Sequence, residues 1–127
     1  MINNKFYVCE HCGNLVEMVH DAGVTPHCCG QKMTLLAAGA VDASHEKHVP
    51  VAERIGDRVK VVVGSTLHPM AEEHSILWVQ LQTKSGVQRK LLEVGAAPVA
   101  EFILAEGDEP VAVYAYCNLH GLWKQDL

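Results

Sequence analysis

Val111-Ala112-Val113-Tyr114-Ala115-Tyr116-Cys117 reads as a β-strand with two unlike faces. Successive side chains on a strand point to opposite sides, so Val111, Val113, Ala115 and Cys117 share one face. Cys117 therefore continues a buried row, and the chain leaves the sheet beside Asn118. His120 follows, completing Cys-x-x-His at the strand end. A row of small apolar side chains ending in two metal-ligating residue types predicts a sheet scaffold with chemistry at its rim.

Moving outward, similar short runs recur: Val59 to Val63, Ile76 to Gln82, Val87 to Val94 and Val99 to Leu104. Gly64-Ser65, Ser85-Gly86, Gly95 and Gly107-Asp108 separate them as turn signals. No segment carries a helical stripe. Short strands at regular spacing predict an antiparallel sandwich or barrel, with the 111–117 run as its last strand.

The pattern breaks near residues 37 to 45, where Ala37-Ala38-Gly39-Ala40 runs into a polar stretch. This divides the chain into residues 1–37 and 38–127. The leading part is too short to bury a self-sufficient core without a staple. Its apolar runs, Phe6 to Val8, Leu15 to Val19 and Met33 to Ala37, read as small strands. A metal would supply the missing stability.

The 127 residues are 49% hydrophobic with a formal net charge of -5. No basic tract is present, which argues against sequence-independent nucleic-acid binding. No apolar stretch approaches the roughly 20 residues of a membrane span. Met1-Ile2-Asn3-Asn4-Lys5 lacks the apolar segment of a signal peptide. The expectation is a cytoplasmic protein, in which a Cys-x-x-Cys pair reads as a metal site rather than a disulfide.

The candidate ligands sort into two sets. Cys9-x-x-Cys12 with the adjacent Cys28-Cys29 is all sulfur. His48, His68, His74, Cys117 and His120 is mostly imidazole with one thiolate. The adjacent cysteines are unusual for structural zinc, whose cysteines are commonly spaced by two to four residues. Extended neighbours point apart, so adjacency is expected to distort the tetrahedron, which leans towards iron. A structural zinc knuckle is the competing reading, and a vicinal disulfide would leave Cys9 and Cys12 unexplained. Four cysteines satisfy one ion, so His11, His20 and His27 read as surface residues. Taken singly, each histidine of the second set reads as an ordinary surface or core residue, and Cys117 as a small hydrophobe.

Together, Glu46-Lys47-His48-Val49-Pro50, His68-Pro69-Met70 with Glu73-His74, and Cys117-Asn118-Leu119-His120-Gly121-Leu122-Trp123 resemble the superoxide reductases. Cys9-x-x-Cys12 and Cys28-Cys29-Gly30 resemble the desulforedoxin module fused to that domain in desulfoferrodoxin. The likeness spans nearly the whole chain in the right order. It implies an all-β protein: a metal-stapled module, then an immunoglobulin-like antiparallel β-sandwich. It implies two irons per chain, one bound by Cys9, Cys12, Cys28 and Cys29. The other would take His48, His68, His74 and His120 in a plane and Cys117 axially. His45 falls outside the matched motif.

The resemblance implies one-electron reduction of superoxide to hydrogen peroxide without oxygen production. It assigns Lys47 to guiding superoxide or ordering a proton-donating water. It assigns Glu46 to the sixth position of ferric iron. A donor such as rubredoxin and a homodimer are also implied. Charge arithmetic agrees: ferrous iron with one thiolate is +1, and at physiological salt the screening length is about 8 Å, so distant carboxylates are muted. Two other readings use less of the chain. An electron-transfer or redox-sensing protein needs only the sulfur site, and a structural zinc protein needs neither Cys117 nor the four histidines.

Overall fold

The computed structural model describes residues 4–127, and Met1, Ile2 and Asn3 of the leading segment lie outside it. The chain forms two compact units, one running through Ala37 and the other from Ala38 to Leu127. No helix among the described residues is long and apolar enough to cross a membrane.

The first unit is made of very short strands: β1 (Phe6–Val8), β2 (Leu15–Glu17), β3 (His27–Cys28), β4 (Gln31–Lys32) and β5 (Thr34–Leu35). β1 lies between β2 and β5, and β3 and β4 form a separate hairpin, all antiparallel. Its apolar centre is small: Tyr7, Cys9 and Met33 are buried, with Val16, Met18 and Cys28 packed against them.

The second unit opens with one helical turn, α1 (His45–His48), and continues as β6 (Pro50–Ile55), β7 (Arg58–Val63), β8 (Ile76–Thr83), β9 (Val87–Leu91), β10 (Val99–Ile103), β11 (Pro110–Cys117) and β12 (Gly121–Asp126). One sheet has the order β10-β7-β6 and the other β12-β11-β8-β9. All pairings are antiparallel, giving a three-on-four immunoglobulin-like sandwich. The core is the two facing rows the alternation predicts. Val59, Val61 and Val63 of β7 pack with Val113, Ala115 and Cys117 of β11, beside Ile76, Val79, Leu81, Ala100, Phe102 and Leu104.

One expectation needed correction. The 111–117 run is not the last strand, because β12 pairs with it from Ala112↔Asp126 to Cys117↔Gly121. One helical turn, α1, precedes the sandwich; four residues are too few to show a 3.6-residue period. The other runs hold with shifted ends: β8 extends to Thr83, whereas β9 stops at Leu91.

A register shift between Tyr116 and Cys117 sets the rim of the sandwich. Cys117 pairs with Ile76 and Tyr116 with Trp78, so Leu77 is the extra residue of a bulge. The bulge changes the phase of β8, and Ile76 and Val79 both reach the core. It also brings the residues before Ile76, including His74, alongside the end of β11.

Candidate metal centres

In the nitrogen-rich cluster, one donor atom from each of His48, His68, His74, Cys117 and His120 lies within 4.8 Å of every other. Each arrives by a different local device. His48 ends α1, whose Glu46 carbonyl accepts hydrogen bonds from the Thr66 amide (2.9 Å) and the Ser65 hydroxyl (3.2 Å). The turn sits so close that a Cβ on Gly64 would come 2.6 Å from the Glu46 oxygen and 2.8 Å from that of Val49. Only glycine fits there. The same loop leads to His68, whose amide donates to Val63 O at 2.8 Å. His74 closes a small turn by a reciprocal backbone pair with Ala71. Cys117 ends β11, and His120 lies in the three-residue turn to β12, where Gly121 takes a positive φ of 76°.

The four rings form a square. Neighbouring centroids are 4.6 Å (48–68), 4.6 Å (68–74), 5.1 Å (74–120) and 4.8 Å (48–120) apart, with interplanar angles of 77–86°. The diagonal pair, His48 and His74, is 6.3 Å apart and tilted by 32°. The Cys117 sulfur joins the square at 3.4 Å from His68 Nε2 and 3.8 Å from His120 Nδ1.

The ring tautomers show that a cation fits. His48 Nδ1 lies 2.6 Å from Ser44 O, and His68 Nδ1 lies 2.7 Å from Pro69 O. A carbonyl only accepts, so both Nδ1 atoms carry the proton and both Nε2 atoms are bare. Yet these two Nε2 atoms are 3.2 Å apart, and His48 Nε2 is 3.0 Å from His120 Nδ1. The bare Nε2 lone pairs of His48 and His68, facing each other, call for a shared positive centre. Imidazole nitrogens sit about 2.0–2.1 Å from a bound transition metal, which puts right-angle neighbours about 3 Å apart. His74 Nε2 is buried with no hydrogen-bond partner, an orphan the same ion would satisfy.

Burial is the largest influence lowering the pKa of His48, His68 and His74. His68 falls to about 4. The Lys47 charge lowers His48 and His74 further, so that lysine acts on the cluster although its side chain is exposed. Because these folded values lie below the unfolded value of 6.5, the stabilisation is full above pH 6.5 and is lost as pH falls towards 4. The urea midpoint of metal-stripped protein is expected to drop steadily between pH 7 and pH 4.5. A midpoint flat across that range would contradict the burial of neutral rings.

In the sulfur cluster, Cys9, Cys12, Cys28 and Cys29 also converge within 4.8 Å. Cys12 Sγ is 3.6 Å from Cys28 Sγ, which is 3.9 Å from Cys29 Sγ. Ligands of a tetrahedral ion with about 2.3 Å metal–sulfur bonds would lie about 3.8 Å apart. The expected distortion from adjacency is therefore absent in these two distances. The reason is local: Cys29 has a φ of 53° and precedes Gly30 at 75°. The left-handed turn swings Cys29 to the side that Cys28 faces. The backbone amide of Cys12 draws the Cys9 thiol down to about 6. The nearby Cys12 sulfur pushes Cys29 up to about 12. Four thiolates thus resist coexisting without a cation. His11, His20 and His27 are exposed, as expected of surface residues.

Glu46 and Lys47 are exposed and stand outside both clusters. The Glu46 backbone amide holds its own carboxyl below the usual carboxylate range. Trp123, the last residue of the Cys117–Trp123 motif, packs its ring 4.9 Å from His48, and its Nε1 donates to His120 O at 3.0 Å, a support that the ligand pattern alone does not reveal. Ser44 and Pro69 act through main-chain carbonyls, which leave no signal in side-chain identity.

A family model described as Desulfoferrodoxin matches residues 40–126, and a second, Desulfoferrodoxin N-terminal domain, matches residues 3–36. The chain belongs to the desulfoferrodoxin family. It is 46% identical over 122 residues to the desulfoferrodoxin of Nitratidesulfovibrio vulgaris, covering 96% of this chain and 95% of that one. The Syntrophotalea carbinolica desulfoferrodoxin is 47% identical over 122 residues, with the same coverage. Among solved structures, the superoxide reductase from Treponema pallidum matches with a TM-score of 0.83 and 40% identity, over 98% of this chain and all of that one. The two donor clusters, one of four cysteines and one of four histidines with a single cysteine, are consistent with two irons per desulfoferrodoxin chain.

Proposed function

We propose that this chain is a superoxide reductase. It converts superoxide, one electron and two protons into hydrogen peroxide, and it releases no oxygen. The observation that carries this is the square of four imidazole rings with one cysteine sulfur to the side. Held by these five donors, an iron ion would have a further ligand position for a small anion. Iron held there supplies a one-electron reductant whose affinity for that anion the thiolate tunes.

The chain's own residues do the rest. Burial lowers the pKa of His48, His68 and His74, and with imidazole ligands bound as neutral rings only the Cys117 thiolate would offset the charge of a ferrous ion, making the reduced site net +1. Lys47 adds a positive charge beside the open face, attracts the superoxide anion and orders the water that delivers protons. Glu46, in the same turn, is the carboxylate that closes this face after turnover. Cys9, Cys12, Cys28 and Cys29 hold the second iron in a desulforedoxin-like module of residues 1–37, and residues 38–127 form the reactive domain. Electrons come from a small one-electron carrier such as rubredoxin, in the cytoplasm, and the working form is a homodimer.

Anaerobic titration of reduced protein with superoxide tests the reaction. One hydrogen peroxide per superoxide and no oxygen is the expected yield. Half an oxygen per superoxide would indicate dismutation instead. Lys47→Ala is expected to slow the bimolecular step roughly 3–10-fold at low salt and to flatten its salt dependence, because a local field accelerates association with an anion. Stopped-flow rates at several ionic strengths measure both, and unchanged rates would leave Lys47 an ordinary solvated lysine.

A further inference from the structure

Four of the five donors in the nitrogen-rich cluster have an evident means of orientation. His48 and His68 are fixed through Nδ1, Cys117 ends a core strand, and His120 sits in a tight hairpin turn. His74 differs. Its Nε2 has no hydrogen-bond partner, and it lies on a loop with only the two-residue bridge to Ala71. Its ring stands between those of His68 and His120, and its direction depends on the main chain that carries it.

That main chain is bracketed by one residue. Asn118 Oδ1 accepts from the Ser75 amide at 3.0 Å, and Asn118 Nδ2 donates to the Glu73 carbonyl at 3.0 Å. The Asn118 amide also donates to Ser75 O at 3.2 Å. The residues immediately before and after His74 are thus tied to the neighbour of Cys117. The side-chain amide is required, because the bracket uses a donor and an acceptor on one planar group. Leucine, alanine or a carboxylate cannot supply both.

We propose that Asn118 is a positioning residue that holds His74 in register with Cys117, so that imidazole and thiolate meet the same ion. The proposal rests on reading the five residues as one metal's ligand set. Groups that orient a metal ligand commonly contribute 10–100-fold to metal affinity.

The test is ferrous-ion binding to the full-length protein by anaerobic chelator competition, with the thiolate-to-iron absorption of the oxidised centre as a second readout. Asn118→Ala is expected to weaken binding at this centre by about 10–100-fold and to shift that absorption. In a His74→Ala background the same change is expected to alter binding by less than about twofold, because coupled residues lose their coupling when one is absent. Asn118→Asp keeps the Ser75 half of the bracket and loses the Glu73 half. It provides a folded comparison if the alanine variant is unstable, and its effect on binding should likewise vanish when His74 is absent. Equal losses with and without His74, or wild-type binding in both Asn118 variants, would overturn the proposal. Absence of ferrous binding by the wild-type cluster would instead refute the ligand set itself.

Discussion

Cys117→Ser is expected to abolish superoxide reduction, with the rate falling more than about 100-fold, beyond the usual cost of disturbing a ligand's hydrogen-bond partner. Cys117 is fully buried, at the end of the Val113–Ala115 row, 3.4 Å from His68 Nε2. Serine fits the space. Its hydroxyl stays protonated at neutral pH, so the reduced centre would carry +2 instead of +1 and lose the polarisable sulfur donor. The sulfur-only cluster in the other unit is untouched by the change. Its visible absorption should therefore persist while pulsed superoxide no longer oxidises the second centre. Retained turnover in the serine variant would remove Cys117 from the chemistry.

The second large effect concerns stability. The first unit has strands of two or three residues and a buried apolar centre of Tyr7, Cys9 and Met33. Such a core is too small to offset the entropy of ordering the segment. A structural metal supplies on the order of 10 kcal/mol in small domains of this kind, against a typical net stability of about 5–15 kcal/mol for a whole protein. Cys9→Ser removes a ligand that is also part of that core. Amide resonances of the first unit should then collapse to unfolded positions, whereas those of the sandwich, whose core cluster is built from residues of the second unit, should stay dispersed. A first unit that remains folded without metal would show that its side-chain packing suffices.

Much of this was legible in the sequence because the signals were periodic or chemical. The 111–117 alternation gave the core face of β11, and the same logic located β7, β8 and β10. The ligand sets were legible because cysteine and histidine carry their chemistry in their identity. Other features were not. β6 contains Glu53 and Arg54 and begins at Pro50, so its pattern is masked by charge. β12 holds Trp123 between Leu122 and Lys124 with no clean alternation, and its place is fixed by pairing with β11. The turn carrying His48 is too short for a helical period. Convergence of adjacent Cys28 and Cys29 depends on one left-handed residue, a backbone property that side-chain identity did not reveal. The bulge at Leu77 and the carbonyl anchors at Ser44 and Pro69 are likewise main-chain events.

The most direct measurement is iron anomalous diffraction from crystals of the anaerobically reduced full-length protein. The account requires two iron peaks per chain. One should lie within bonding distance of Cys9, Cys12, Cys28 and Cys29, the other of His48, His68, His74, His120 and Cys117, with no protein side chain on the remaining side of the latter. A single peak at the cysteines, or a protein group filling that remaining side in the reduced state, would contradict it.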